Sequence, residues 1–271
     1  MISAAAWLAR LTLFCLLAGG AGGARAGSNC EDKPIDPTTF GKAMLMAAQA
    51  RAALDDSGAQ VALIARVGQD LSKYGLRYSH MAYAWRDHPR GRWLVVHELN
   101  ECGSAESALY NEGLANFFLD DMFAFDCLIL VPSAPMQARL AAMLASRAPL
   151  ALHQKRYNML AYPFATEYQN SNQWLLETYA VASAASADTA RVRDRGAAQA
   201  WLARAGYRPI TLAIPAMTRL GARLFRANIA FDDQPFARRM AGQIDTVTVE
   251  SIVRFVQARE EGARSMTISL E

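Results

Sequence analysis

Cysteine and histidine are both scarce in this chain, four of each in 271 residues. No two of them fall into CxxC or HxxxH spacing, so the sequence implies neither a structural zinc site nor any other metal. A surplus of one charge is also missing, with 28 Lys plus Arg against 25 Asp plus Glu and a net charge of +3. The arginines, Arg191, Arg193, Arg195, Arg219, Arg223, Arg226, Arg238 and Arg239 among them, are spread over several predicted elements. That scatter reads as a solvated surface and excludes nucleic acid as the leading partner. There is no internal repeat and no low-complexity linker, and nothing in the sequence implies a cofactor. The longest early apolar run, Leu11 to Ala18, falls well short of the ~20 residues that cross a bilayer.

That short run is informative in another way. Arg10 precedes it, and Ala24-Arg25-Ala26 places small residues at both positions that a signal peptidase reads. The pattern predicts a cleavable signal over residues 1–26 and a periplasmic or secreted mature chain with no transmembrane segment. Cys15 leaves with the signal, and no cysteine stands at the spacing that lipid attachment needs. Removal of Arg10 and Arg25 takes away most of the net charge of +3. In an exported protein disulfides persist. Cys127 sits in Phe125 to Val131, a run that reads as a fully buried strand, where a thiol is a small inert hydrophobe. Cys30, at the new N-terminus, and Cys102, in a loop after a strand, are the better candidates for a bridge, one that would stabilise the fold by roughly 4 kcal/mol.

Periodicity predicts an α+β chain with an irregular stretch over Lys33 to Pro37. A helix capped by Thr38 or Thr39 should then run to about Leu54, followed by a strand over Gln60 to Val67. Leu76 to Arg86 and Trp93 to Leu99 flank the breaker Asp87-His88-Pro89-Arg90-Gly91 and should form a hairpin. One helical stretch is expected near Leu109 to Asp120, the buried strand over 125–131, and a helix over Ala134 to Ser146. Loop and short strand around Tyr157 to Leu160 should lead to a helix opened at Gln169-Asn170-Ser171-Asn172 and ending near Ala185. Beyond Asp188 the pattern gives helices near 193–205, 215–227 and 248–259, with short strands at Ile210 to Ile214 and Gln243 to Val247.

Three polar features carry chemistry when taken together: Tyr78-Ser79-His80, His97-Glu98, and Asn170-Ser171-Asn172. With the hairpin turn between His88 and Pro89, His80 lies directly opposite His97 on one face. A register shift of two keeps them on that face as diagonal neighbours, and a shift of one brings Glu98 there instead. Either pairing holds a general base in one tautomer. Ser171 supplies a hydroxyl at a helix N-terminus, where free amides and the helix dipole favour developing negative charge. Each feature alone has a plain explanation: a strand histidine, the polar end of a strand, a helix cap.

The motif Tyr78-Ser79-His80-Met81-Ala82-Tyr83, a hairpin and a late helix opened by Asn170-Ser171 resembles the circularly permuted, NlpC-type branch of the papain-like superfamily that includes YiiX-like proteins. More closely, residues 28–260 resemble an exported bacterial family, domain of unknown function 2145. The resemblance implies a papain-like α+β fold, a small antiparallel sheet packed on helices over residues 27–188, with a mainly helical extension over 189–271. It implies His80 as base, His97 or Glu98 as the orienting residue, Ser171 as nucleophile, and Asn170, Asn172 and Tyr78 as supports of a cleft or oxyanion hole. The implied ligand is a peptide or acyl compound, of which cell-wall peptide is the leading class. Ser171 stands where that superfamily carries a cysteine. A thiol is driven to thiolate by a neighbouring imidazole, whereas a hydroxyl must lose its proton as it attacks. Two readings therefore stand side by side: an amide or ester hydrolase, and an inactive binding or scaffold protein of the cell envelope.

Overall fold

The computed structural model describes residues 34–120, 122–184 and 192–270. The expected signal segment and Cys30 lie outside the described residues. A long helix, α1 (Pro37–Asp56), comes first. Its N-cap is Asp36, whose carboxylate accepts from Thr39 N at 2.9 Å, with Pro37 in the first turn. The expected cap at Thr38 or Thr39 is thus replaced by the residue before the proline, because proline fills a first-turn position where no N–H is needed.

Six strands follow in one antiparallel sheet: β1 (Val61–Val67), β2 (His80–His88), β3 (Gly91–Asn100), β4 (Ser107–Glu112), β5 (Ala124–Val131) and, from the far end of the chain, β8 (Arg264–Ser269). Their order is β4-β3-β2-β1-β5-β8. Central β1 is buried along its whole length, which is why it reads as a continuous apolar run instead of an alternating one. Val61, Leu63 and Ala65 face one cluster and Ala62 and Ile64 the other. Truncating a side chain such as Leu63 to alanine costs about 2–5 kcal/mol by the cavity it leaves.

The two faces are covered by different helices. α1 and α2 (Leu114–Leu119) share one cluster with Ile64, Ala82 and Val95. The other face is covered by α3 (Ala134–Leu144), α5 (Ser171–Ala184), α6 (Arg195–Arg204) and α9 (Val249–Arg259), which pack on Leu63, Tyr83 and Val96. A single turn, α4 (Ala148–Ala151), precedes the loop that leads to α5. Inserted before α9 is a ribbon of β6 (Ile210–Ala213) and β7 (Gln243–Thr246), flanked by α7 (Ala216–Phe225) and α8 (Phe236–Met240). This insertion has its own small cluster of Leu212, Ile214, Phe231 and Ile244, which anchors it to Leu76.

Three regions correct the reading from sequence. The single helical stretch expected over Leu109 to Asp120 is a strand, β4, broken by Gly113 from the short helix α2. Residues 264–269, for which no element was expected, form the outer strand of the main sheet. The expected short strand around Tyr157 to Leu160 is reduced to isolated bridges, Glu106 with Arg156 and Tyr157 with Gln169. No helix among the described residues is long and apolar enough to cross a membrane.

Candidate functional site

The hairpin register settles which face each polar residue takes. Tyr83 pairs with Val96 and His88 with Gly91. That is the expected register shifted by two, so His80 and His97 share a face as diagonal neighbours. The β2–β3 pairing stops at Tyr83 and Val96. Beyond it the two strands separate, and the first turn of α5 enters the gap. The Asn172 side chain takes over the backbone groups that a strand would have paired, accepting from Met81 N at 2.9 Å and donating to Ser79 O at 3.3 Å. Asn170 caps the helix, its side-chain oxygen accepting from Gln173 N at 2.8 Å. The Asn170 amide donates to Thr246 Oγ1 at 3.1 Å, which ties α5 to β7.

Held in this way, Ser171 Oγ lies 3.0 Å from His80 Nδ1. His80 Nε2 lies 2.9 Å from His97 Nδ1. His97 Nε2 stands 3.1 Å from Glu112 Oε1, in ion-pair range although not aligned as a straight hydrogen bond. Four side chains from α5, β2, β3 and β4 thus form one row. Phe117 of α2 walls it, with ring centroids 5.9 Å from His80 and 5.8 Å from His97. His97 is fully buried, while His80 and Ser171 each retain 8% of their surface.

The electrostatics keep both rings neutral. His80 is held well below the ordinary histidine value, first by burial, then by the Arg66 guanidinium and by His97. Burial also lowers His97, and Glu112 works against that shift. Arg66 is fixed on the same side by a hydrogen bond to the Asp120 carbonyl at 2.9 Å and by its stacking over Phe117 at 4.9 Å. A neutral imidazole beside a hydroxyl is the state in which the ring accepts a proton.

Glu98 does not join the row. One residue along β3, it points through the sheet toward the buried network of Glu177, Arg195 and Gln199 under α5. Both of its carboxylate oxygens are buried without a hydrogen-bond partner, and burial pushes its pKa up to about 8. Tyr78 also stands apart: its N–H donates to Glu250 at 3.0 Å and its ring is half-buried near Cys127. Of the residues expected at the site, then, the structure gathers His80, His97, Ser171 and Asn172, with Asn170 as the cap behind them.

Sequence reasoning missed two neighbours. Glu112 was hidden inside the expected helix, yet it alternates with Tyr110, the residue paired with His97, and so shares its face. Tyr157, whose phenol interacts with Ser171 and is pushed up by burial, comes from a loop with no motif. The expected Cys30–Cys102 bridge involves a residue outside the described ones, and Cys127 is a buried free thiol as expected from its strand. Among the described residues no group of three His, Cys, Asp or Glu side chains is placed to hold a metal ion. A hollow of about 470 Å³ beside Tyr74, Leu212 and Pro215 lies at the β6–β7 ribbon and not at Ser171.

No curated protein and no solved structure matches the chain. A family model does, over residues 53–256, a span holding the whole row from His80 to Ser171. The chain therefore belongs to the family of uncharacterised proteins conserved in bacteria known as domain of unknown function 2145.

Proposed function

We propose that the row Ser171–His80–His97–Glu112 is an acyl-transfer site and that the protein is an amide or ester hydrolase. The observation that carries this reading is the 3.0 Å contact between the Ser171 hydroxyl and a neutral, buried imidazole. Ser171 Oγ attacks the substrate carbonyl as its proton passes to His80 Nδ1. The N–H groups of Ser171 and Asn172, in the first turn of α5, face the developing oxyanion. The imidazolium then protonates the leaving amine or alcohol, and water, deprotonated by the same ring, releases the acid and restores Ser171. A helix-borne hydroxyl packed against an antiparallel sheet supports the resemblance to a permuted papain-like fold, and on that resemblance the proposed substrate is a peptide or acyl compound derived from the cell wall. The N-terminal pattern supports export of the mature protein to the cell envelope, where Cys30 and Cys102 are the pair proposed for a disulfide. Protein sequencing of the processed N-terminus and peptide mapping without reductant test those two points.

A fluorophosphonate probe tests the chemistry. The expected result is an adduct on Ser171 that is lost in Ser171→Ala and His80→Ala, with product released from peptidoglycan fragments or activated esters by the unmodified chain. No adduct and no turnover in either the native chain or Ser171→Cys would overturn the hydrolase. One observation favours a second reading, a binding protein that keeps the cleft without turnover: only 8% of Ser171 is exposed. Ligand binding that survives His80→Ala unchanged, with no turnover detected, would select it.

A further inference from the structure

Two helices of the insertion expose large apolar side chains. α7 exposes Met217 by 78% and Leu220 by 54%, and α8 exposes Phe236 by 69% and Met240 by 63%. Among the side chains of α7 that are described, Ala222 packs on the cluster of Leu212 and Ile214. Both helices leave the same end of the ribbon: Ala213 pairs with Gln243, α7 begins just after Ala213, and α8 ends just before Gln243. Ile214 N donates to Gly242 O at 2.8 Å across that junction. The two helices that carry the four apolar residues therefore meet at one end of the ribbon.

Cations border this surface. The Arg239 guanidinium lies 5.7 Å from the centre of the Phe236 ring. Arg219 donates to the carbonyl of Ile214 at 2.6 Å, and Arg226 is exposed just after α7. None of these three is ion-paired with an acid among the described residues. The acids of the same segment are turned elsewhere, Asp233 accepting from Tyr162 N at 2.7 Å and Asp232 from the Tyr168 hydroxyl at 3.2 Å. Arg238, by contrast, is neutralised by Asp245 at 2.5 Å.

We propose that this face of α7 and α8 docks on an anionic phospholipid surface. Exposed Met, Leu and Phe side chains ringed by unpaired arginines match a bilayer interface, where apolar groups enter the acyl boundary and cations meet lipid phosphates. A second copy of the chain fits less well, since a two-fold contact through the same patch sets each arginine against a like charge.

Vesicle co-sedimentation of the full chain tests the docking. The chain is expected to pellet several-fold more with vesicles of equal parts phosphatidylglycerol and phosphatidylcholine than with phosphatidylcholine alone. Met217→Ser with Leu220→Ser and Phe236→Ser should lose that binding, and the exposed single change Arg226→Glu should weaken it without touching the core. Both variants carry the same N-terminal apolar run, so binding caused by that run is common to all and drops out of the difference. Equal pelleting with both vesicle types, or variants that bind like the native chain, would overturn the proposal. So would a dimer in sedimentation velocity that the same substitutions dissociate, which would assign the face to a second copy.

Discussion

His80 Nε2 and His97 Nδ1 face each other at 2.9 Å, and this contact fixes the direction of the protons along the whole row. Glu112 can only accept while ionised, so His97 turns Nε2–H toward it and leaves Nδ1 as an acceptor. His80 must then carry its proton on Nε2, which frees Nδ1 to accept from Ser171. The assignment follows from the network, and side-chain nitrogen NMR tests it directly: His80 is expected as the Nε2–H tautomer. In Glu112→Gln that preference should weaken, because an amide can also donate. Probe labelling of Ser171 should fall by about 10²–10⁴-fold in His80→Ala, the usual contribution of a general base, and by less in His97→Ala. A His97→Ala chain labelled at the native rate would show that His97 plays no part in orienting the base.

The lowered values of His80 and His97 give a second prediction, with the sign set by burial. The unfolded chain takes up protons on these residues near 6.5, whereas the folded chain resists until well below that value. Folding is then stabilised fully above about pH 6.5 and loses that contribution as pH falls below it. Chemical denaturation at pH 7.5 and 5.5 in a Glu98→Gln background, which removes the opposing titration of that buried carboxyl, should show the drop. It should shrink in His97→Phe, since one of the two buried groups is gone. Labelling of Ser171, in turn, should persist below pH 6.5, and an acidic limb centred at the ordinary histidine value would contradict the buried, neutral base.

Glu98 carries the opposite sign. Its pKa rises from 4.5 to about 8 because the carboxyl is buried, with the nearby Glu177 charge adding to the shift while Ser107 and Arg195 oppose it. The folded chain holds this proton over a range where the unfolded chain has released it. The contribution is therefore complete below about pH 4.5 and disappears as pH climbs through 8. Glu98→Gln removes the titration while keeping the shape. Its stability relative to the native chain should rise between pH 5 and pH 9, by an amount on the order of 4 kcal/mol at most. A difference that does not vary with pH would mean that Glu98 is ionised or solvated in the folded protein.

The same residues show how far the sequence alone carries. The central strand, the hairpin and α5 were legible because their apolar periods and breakers are strong and local. His97 and Glu98 were left as alternatives, since one step of register exchanges the two faces and only the observed turn decides it. Glu112 was invisible for a different reason. Leu109, Leu114 and Phe117 imitate a helical stripe, and β4 is a short outer strand whose identity depends on pairing with β3. Strand β8 lay beyond any local signal as well, because it is made by a partner, β5, more than a hundred residues earlier in the chain. Tyr157 reaches Ser171 through a loop held by isolated bridges, which leave no period to read.

Asn172 is where the fold and the proposed chemistry meet, and it allows the two to be separated. Its side chain satisfies Met81 N–H and Ser79 C=O in the gap between β2 and β3, whereas the His80 ring bonds to Ser171 and His97. Asn172→Ala leaves a buried N–H and a carbonyl without partners, at a cost of about 1–3 kcal/mol. A lowered denaturation midpoint is the expected result. Asn172→Asp keeps the acceptor for Met81 N–H but sets a carboxylate against the Ser79 carbonyl, so it should recover only part of the loss near neutral pH and more at pH 4, where a protonated acid donates. If Asn172 only stitches the helix to the strand, its variants should lose Ser171 labelling in proportion to misplacement of the hydroxyl, and Ser171→Cys in the same background should be equally slow. Native labelling in a destabilised Asn172→Ala chain would show instead that Ser171 and His80 stay in register without the stitch, held by the Asn170 cap alone.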